Sequence, residues 1–275
     1  MPRRPAQQIP RDAAAKLDHF FHLLAHAQHR PLLLLDYDGT LAAFRVDRFQ
    51  ARPWAGVRQQ LQRIQRHGRT RIAIITGRPA AEIAPMLALD QPVEVWGLHG
   101  AERLHPNGHR ELQDPPPATR ARLDELRAHL RRDALGGLYE EKPNAAVLHW
   151  RGFAPARARQ IERRTRALFE DFAQLEGITL LEFESGLEVR AGRDKGGAVR
   201  QILAESAQVA PVTYLGDDLT DEAAFQAVNA APGPHLSVLM RRTWRATAAE
   251  VWLRPPAALR TFLARWESVI TAQTS

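Results

Sequence analysis

Five side chains far apart in the chain share one kind of neighbourhood. Asp36 and Thr76 each end an apolar run, Leu32–Asp36 and Arg71–Thr76, and Asp217 ends a third, Val212–Asp217. Asp38 follows Asp36 by two positions, so extended geometry directs both carboxylates to one side, with Tyr37 on the other. Gly39 then lets the chain turn sharply away. Apolar runs of this kind read as buried strands of a parallel sheet, and ligands bind at the carboxyl edge of such sheets. Carboxylates gathered there raise one another's pKa unless a cation neutralises them. An oxygen-only ligand set in a chain without cysteine selects a hard ion, and Mg²⁺ fits. A carboxylate beside Mg²⁺ can attack phosphorus, and a second carboxylate can serve the leaving oxygen as general acid. A hydroxyl and an ammonium then hold the phosphoryl oxygens, tasks that suit Thr76 and Lys195.

The elements that must position these groups follow a rhythm. An amphipathic helix over 12–29 precedes the first strand, and residues 1–11, rich in proline and arginine, read as a flexible N-terminus. Trp54, Val57, Leu61 and Ile64 repeat at helical spacing up to Gly68. After the Arg71–Thr76 run comes a helix around Ala80–Leu89, then a strand at Val93–Trp96. Strands alternating with helices indicate βαβ units. The rhythm breaks at Asp114-Pro-Pro-Pro117, beyond which the pattern reads helix 119–132, strands 137–142 and 145–151, helix 155–173, and strands 178–184 and 187–191. Two strands after each helix is α+β logic. Strand Val212–Asp217, helix 221–229 and strands 236–240 and 250–253 then resume the first pattern. The expectation is an α/β fold: a Rossmann-like parallel-sheet core over 12–112 and 192–275, with an α+β cap domain inserted at 113–191.

Composition narrows the function classes. The chain has 275 residues, is 44% hydrophobic and 25% charged, and so can build a core. It has no apolar run of membrane length, which predicts a cytoplasmic protein with no membrane partner. The absence of cysteine excludes disulfides and zinc–thiolate sites. The net charge of +7 is scattered without a basic run, which argues against nucleic acid as partner. Of 38 basic residues only Lys16, Lys142 and Lys195 are lysine. In so arginine-biased a chain, a retained lysine is a candidate for a position that needs a compact ammonium, with Lys16, on a surface helix, read as chance retention. His19, His22, His26 and His29 share the first helix, but fall opposite its apolar stripe and read as a solvated polar face.

Taken in order, Asp36-Tyr-Asp38-Gly-Thr-Leu, Thr76-Gly-Arg, Lys195-Gly and Gly216-Asp-Asp-Leu-Thr-Asp-Glu222 resemble the four motifs of the haloacid-dehalogenase-like phosphohydrolases. The resemblance runs from about residue 32 to 254. It implies Mg²⁺, an aspartyl-phosphate intermediate and a cap of type C2. By position, Asp36 would be the nucleophile and Asp38 the general acid and later the base. Thr76 and Lys195 would bind the phosphoryl group, with Gly77 and Arg78 beside Thr76 in the substrate site. Asp217 would complete the metal site with the Asp36 carboxylate and the Asp38 carbonyl, with Asp218 and Asp221 in an outer shell.

The cap should choose the ester, because the core contacts mainly the phosphate. Glu140, Lys142 and Glu188 fall in its predicted strands, and carboxylates suit the directed hydrogen bonds of sugar hydroxyls. Glu140-Glu-Lys142, His149-Trp-Arg151, Gly97-Leu-His-Gly-Ala-Glu102 and Leu187-Glu188-Val-Arg resemble segments of the trehalose-6-phosphate phosphatases. The chain departs from that family at Ala191, where proline is usual. The resemblance implies hydrolysis of trehalose 6-phosphate, a small-molecule sugar phosphate, and functional pairing with a trehalose-6-phosphate synthase. It assigns Glu140, Lys142 and Glu188 to the sugar, with His99 and Arg151 as further substrate contacts. A sucrose 6-phosphate or mannosyl-3-phosphoglycerate phosphatase, or a phosphomannomutase-like phosphotransferase, shares the same core motifs.

Overall fold

The computed structural model describes residues 12–45, 47–132, 138–142, 144–173, 178–183, 186–206 and 209–272. The expected flexible segment 1–11 lies outside them. The chain forms two compact units: one joins the residues up to Glu111 with those from Asp194 onward, and the other spans Leu112–Arg193.

In the first unit, helix α1 (Ala13–Ala25) leads into β1 (Leu32–Leu35), α2 (Val57–Arg66), β2 (Arg71–Ile75), α3 (Ala80–Leu87) and β3 (Glu94–Gly97). A hairpin of β4 (Glu102–Leu104) and β5 (Arg110–Leu112) follows. The second unit holds α4 (Pro117–Arg132), β6 (Tyr139–Lys142), β7 (Ala145–His149), α5 (Pro155–Ala173), β8 (Ile178–Phe183) and β9 (Gly186–Ala191). The chain then returns to the first unit through α6 (Lys195–Glu205), β10 (Val212–Gly216), α7 (Glu222–Asn229), β11 (His235–Met240), β12 (Val251–Leu253) and α8 (Ala257–Ala272). Residues 102–112, 195–205 and 257–272 form elements that the sequence pattern does not predict.

The large sheet has strand order β12-β11-β10-β1-β2-β3-β4-β5. It is parallel from β12 to β3, and β4 pairs antiparallel with β3. Strand β1 is four leucines, all buried, as a central strand covered on both faces requires. Leu33 and Leu35 pack with Phe20, Leu61 and Trp266 on one face, and Leu32 and Leu34 with Ile202, Tyr214 and Phe225 on the other. The first helix is shorter than expected and stops at Ala25. Pro31 disfavours helical geometry at Arg30, and the His26 imidazole closes the last turn on the His22 carbonyl.

Helix α6 is anchored at both ends. Asp194 caps its N-terminus by accepting the Gly197 N–H at 2.7 Å, which places Lys195 in the first turn. At the other end Glu205 accepts hydrogen bonds from Arg71 at 2.9 Å and from both terminal nitrogens of Arg103 at 2.6 and 2.7 Å. The same two arginines hold the buried Glu94 of β3, which also accepts from the Trp96 indole at 2.9 Å. Burial opposes ionisation of Glu205, but the hydrogen bonds from Arg103, Gln201 and Arg71 hold its carboxyl down at about 2. A folded value below the ordinary 4.5 means that the contribution to stability is present above pH 4.5 and is lost as pH falls toward 2.

The smaller sheet has order β6-β7-β9-β8, all antiparallel. One face packs Ala146, Leu148, Leu187 and Val189 onto Leu123, Leu126, Ile161 and Phe169 of α4 and α5. At Ala191 the backbone N–H donates to the Asn144 carbonyl at 2.8 Å. Proline has no such donor, so alanine here extends the pairing of β9.

Replacing Glu205 with glutamine should lower the thermal midpoint at pH 7 by about 2–4 °C. Circular-dichroism melts should show that difference shrinking as pH falls below 4.5. A constant difference across that range would refute the assignment.

Candidate active site

At the carboxyl edge of the large sheet the expected residues of the first unit come together. Asp36 follows β1 directly, and its N–H donates to the Leu215 carbonyl of β10 at 2.9 Å. Lys195 enters from α6 and donates to Asp36 Oδ1 at 2.7 Å and to Asp221 Oδ1 at 2.7 Å. All three are buried. Burial alone would discharge the lysine, but Asp221 and Asp36 hold its pKa above the usual lysine range.

Asp221 is the hub of the acidic loop. Its Oδ1 also accepts the Tyr214 hydroxyl at 2.5 Å, and its Oδ2 accepts the backbone N–H groups of Asp217 and Asp218, each at 2.9 Å. Four donors saturate a carboxylate. Asp221 therefore braces the loop and orients the lysine, and has no lone pair left for an ion. Tyr214 completes this brace and went unnoticed in the sequence, where it reads as one more apolar strand residue. Its burial and the neighbouring Asp221 push its hydroxyl well above the usual tyrosine range, so it stays a donor. Asp218 caps the next turn by accepting the Leu219 N–H at 2.7 Å.

Asp36 and Asp217 are placed differently. Asp36 Oδ2 is buried and, among the described residues, meets no hydrogen-bond donor. The Asp217 side chain lies against Gly39, where an added Cβ would fall 2.0 Å from its Oδ2, so no other residue fits the loop after β1. Carboxylate oxygens of Asp36, Asp217 and the saturated Asp221 lie within 4.8 Å of one another. Burial and the Asp221 and Asp38 charges push Asp36 up to about 7 against the pull of Lys195. Burial, Asp36 and Asp221 likewise push Asp217 well above the carboxylate range. An orphaned buried oxygen beside a second uncompensated carboxylate is the donor set a hard divalent cation requires.

Asp38 faces Arg78, which donates from Nε and one terminal nitrogen to its two oxygens at 2.5 and 2.6 Å. The other terminal nitrogen donates to the Arg48 carbonyl at 2.8 Å. Arg78, expected beside the substrate, thus spends its guanidinium on orienting Asp38. Thr76 lies one step beyond β2, buried, with its hydroxyl accepting the Arg78 N–H at 3.2 Å. Gly77 leaves room for the His99 ring, which an added Cβ would meet at 2.6 Å. His99 is itself buried, with its backbone N–H on the Thr76 carbonyl at 2.8 Å.

In the second unit, the register pairs Glu140 with Val147 and Val147 with Glu188. Cross-strand partners share a face, and so do residues two apart. Glu140, Lys142, His149, Glu188 and Arg190 therefore stand together opposite the apolar face. Lys142 Nζ donates to Glu188 Oε2 at 3.0 Å, and His149 Nε2 lies 2.9 Å from Glu140 Oε2. His149 and Arg190 join the expected trio, and alternation along β7 and β9 is the signal that could have found them. Arg151 lies in the exposed turn after β7.

Cation binding should displace the proton on Asp36, since below about pH 7 the metal-free carboxyl holds it. Titrating saturating Mg²⁺ into metal-free protein at pH 6 in weak buffer should release on the order of one proton more from the native chain than from Asp36→Asn. Equal release would show that Asp36 does not carry it.

The chain resembles known proteins along most of its length. The family model described as trehalose-phosphatase matches residues 34–252. A trehalose-phosphate phosphatase of Mycobacterium marinum is 31% identical over 259 residues, covering 88% of this chain and 63% of that protein. This chain thus spans less than two thirds of that relative. Among solved structures, the C-terminal domain of the Candida albicans trehalose-6-phosphate phosphatase superposes with a TM-score of 0.75 at 19% identity, covering 98% of this chain and 99% of that one. A haloacid-dehalogenase-like hydrolase from Bacillus subtilis shares the fold at a TM-score of 0.61 and 14% identity, covering 85% and 98%. With its sheet order, its acidic edge and the match over 34–252, the chain belongs to the trehalose-phosphatase family.

Proposed function

We propose that the protein is a Mg²⁺-dependent phosphatase that hydrolyses trehalose 6-phosphate to trehalose and phosphate through an aspartyl-phosphate on Asp36. The observation that carries this reading is the pairing of Asp36 Oδ1 with Lys195 while Asp36 Oδ2 has no donor. Lys195 orients one carboxylate oxygen for attack, and the other is left open to the ion. Asp36 Oδ2, the Asp217 carboxylate and the Asp38 carbonyl would hold Mg²⁺. When bound, the ion neutralises the crowded carboxylates and polarises the phosphoryl group.

The residues of the chain then divide the work. Asp36 attacks phosphorus, forming an O–P bond as the bond from phosphorus to the sugar oxygen breaks. Asp38, held in place by Arg78, gives that oxygen its proton. Asp38 next takes a proton from water, whose oxygen attacks phosphorus and frees phosphate and the Asp36 carboxylate. Lys195 and the Thr76 hydroxyl bind the phosphoryl oxygens, where charge redistributes in the transition state. The insert acts as the cap that recognises sugar hydroxyls through Glu140, Lys142 and Glu188. A relative named as a trehalose-phosphate phosphatase supports the substrate. The substrate in turn implies a synthase that makes it and a cytoplasmic setting. No helix among the described residues is long and apolar enough to cross a membrane.

Phosphate release should be fastest from trehalose 6-phosphate when sucrose 6-phosphate and mannosyl-3-phosphoglycerate are run beside it, and EDTA should abolish it. Asp36→Asn should lower turnover by at least about 10³-fold; retained turnover without deamidation would overturn the nucleophile. Glu140→Ala should lower kcat/KM for the sugar phosphate by roughly tenfold or more and leave a small aryl phosphate nearly unchanged. Equal losses on both substrates would remove Glu140 from sugar recognition.

A further inference from the structure

We propose that His22 and His26, on the solvent side of α1, form a two-imidazole binding site for a late first-row divalent metal ion of the Ni²⁺ or Cu²⁺ class. The residues are four apart, so they stand one above the other on the helix surface. Both are exposed, and their ring centroids lie 4.6 Å apart at an interplanar angle of 51°. That tilt is not face-to-face stacking.

The tautomer of one ring is fixed by its surroundings. His26 Nδ1 lies 2.8 Å from the His22 carbonyl oxygen. A carbonyl only accepts, so Nδ1 carries the hydrogen and the lone pair of the neutral ring is left on Nε2. An imidazole whose second nitrogen donates to a backbone carbonyl is the arrangement found behind metal-ligating histidines. The position adds to this, because His26 ends the helix, where the outward carbonyls favour a cation.

Ligand type identifies the class of ion. Neutral imidazole suits late first-row divalent ions, and affinity rises along that row through Ni²⁺ to Cu²⁺. Two donors on one helix face, 4.6 Å between ring centroids, would supply neighbouring positions of the ion's ligand field. Square-planar and tetragonal fields of nitrogen and oxygen belong to Cu²⁺ and Ni²⁺, whereas structural zinc is tetrahedral. A second imidazole pair among the described residues, His105 and His109, differs in spacing and in partner. Its centroids are 5.5 Å apart, and His105 Nε2 lies 2.6 Å from Glu111.

The test is Ni²⁺ binding to the metal-free full chain by isothermal titration, with excess Mg²⁺ present. His22→Gln and His26→Gln should each lose one bound equivalent or bind it at least tenfold more weakly, while His19→Gln, on the same helix, should match the native chain. Ni²⁺ should also raise the thermal midpoint of the native chain more than that of His22→Gln, because an ion bound only to the folded state stabilises it. Far-ultraviolet circular dichroism of the variants should be native, since both side chains are exposed. Unchanged stoichiometry and affinity in His22→Gln and His26→Gln would overturn the proposal.

Discussion

The site depends on a buried triad of charges, Lys195 between Asp36 and Asp221. Removing three charged groups from water is costly unless each is paired and the remaining lone pairs are satisfied. The protein satisfies Asp221 completely and Asp36 by half. That asymmetry assigns the two carboxylates to different tasks although both touch the same ammonium. One becomes framework, and the other keeps an oxygen whose desolvation cost only a ligand can offset. The rest of the fold serves to hold the lysine at the point where this division works.

Holding it there requires a helix that cannot slide. Helix α6 meets the sheet through Ala198, Val199 and Ile202. Apolar packing is non-directional and fixes depth better than register. The Asp194 cap and the Glu205 clamp supply the directional contacts at its two ends. The clamp ties the helix to β2 and β4 through arginines, whose planar forks can engage two carboxylates at once. In a chain that uses arginine almost everywhere, lysine stands where one compact cation must reach two oxygens in a tight, buried space.

Much of this was legible in the amino-acid order. Asp36, Thr76 and Asp217 were readable because each ends a run of buried residues, and strand ends in parallel sheets are where polar groups gather. Helix α6 was not, because its glycines and alanines give a weak amphipathic signal and its Lys195 was read for chemistry alone. The hairpin of β4 and β5 escaped for another reason: three-residue strands are too short to show periodicity. The structure sets Arg78 against Asp38, a partner that was not readable. Which carboxylate a guanidinium meets depends on the loop after β1, and no spacing encodes that. The role of Asp221 as a saturated brace depended in the same way on Tyr214, whose hydroxyl is invisible in a pattern of apolar residues.

The pairing of β1 with β10 has a consequence for how the chain comes to be folded. Leu32 and Val212 are neighbours in the sheet, yet most of the polypeptide lies between them. During synthesis β1 can pair with β2 soon after both emerge, but its other edge stays open until β10 arrives. The insert, with its own sheet and core, is made in that interval and can fold without waiting for the rest. Asp217 and Asp221 reach Asp36 only after that, so the acidic cluster closes in the last stage of assembly. An open edge of four leucines is the vulnerable surface of the nascent chain, exposed for as long as translation of the insert takes.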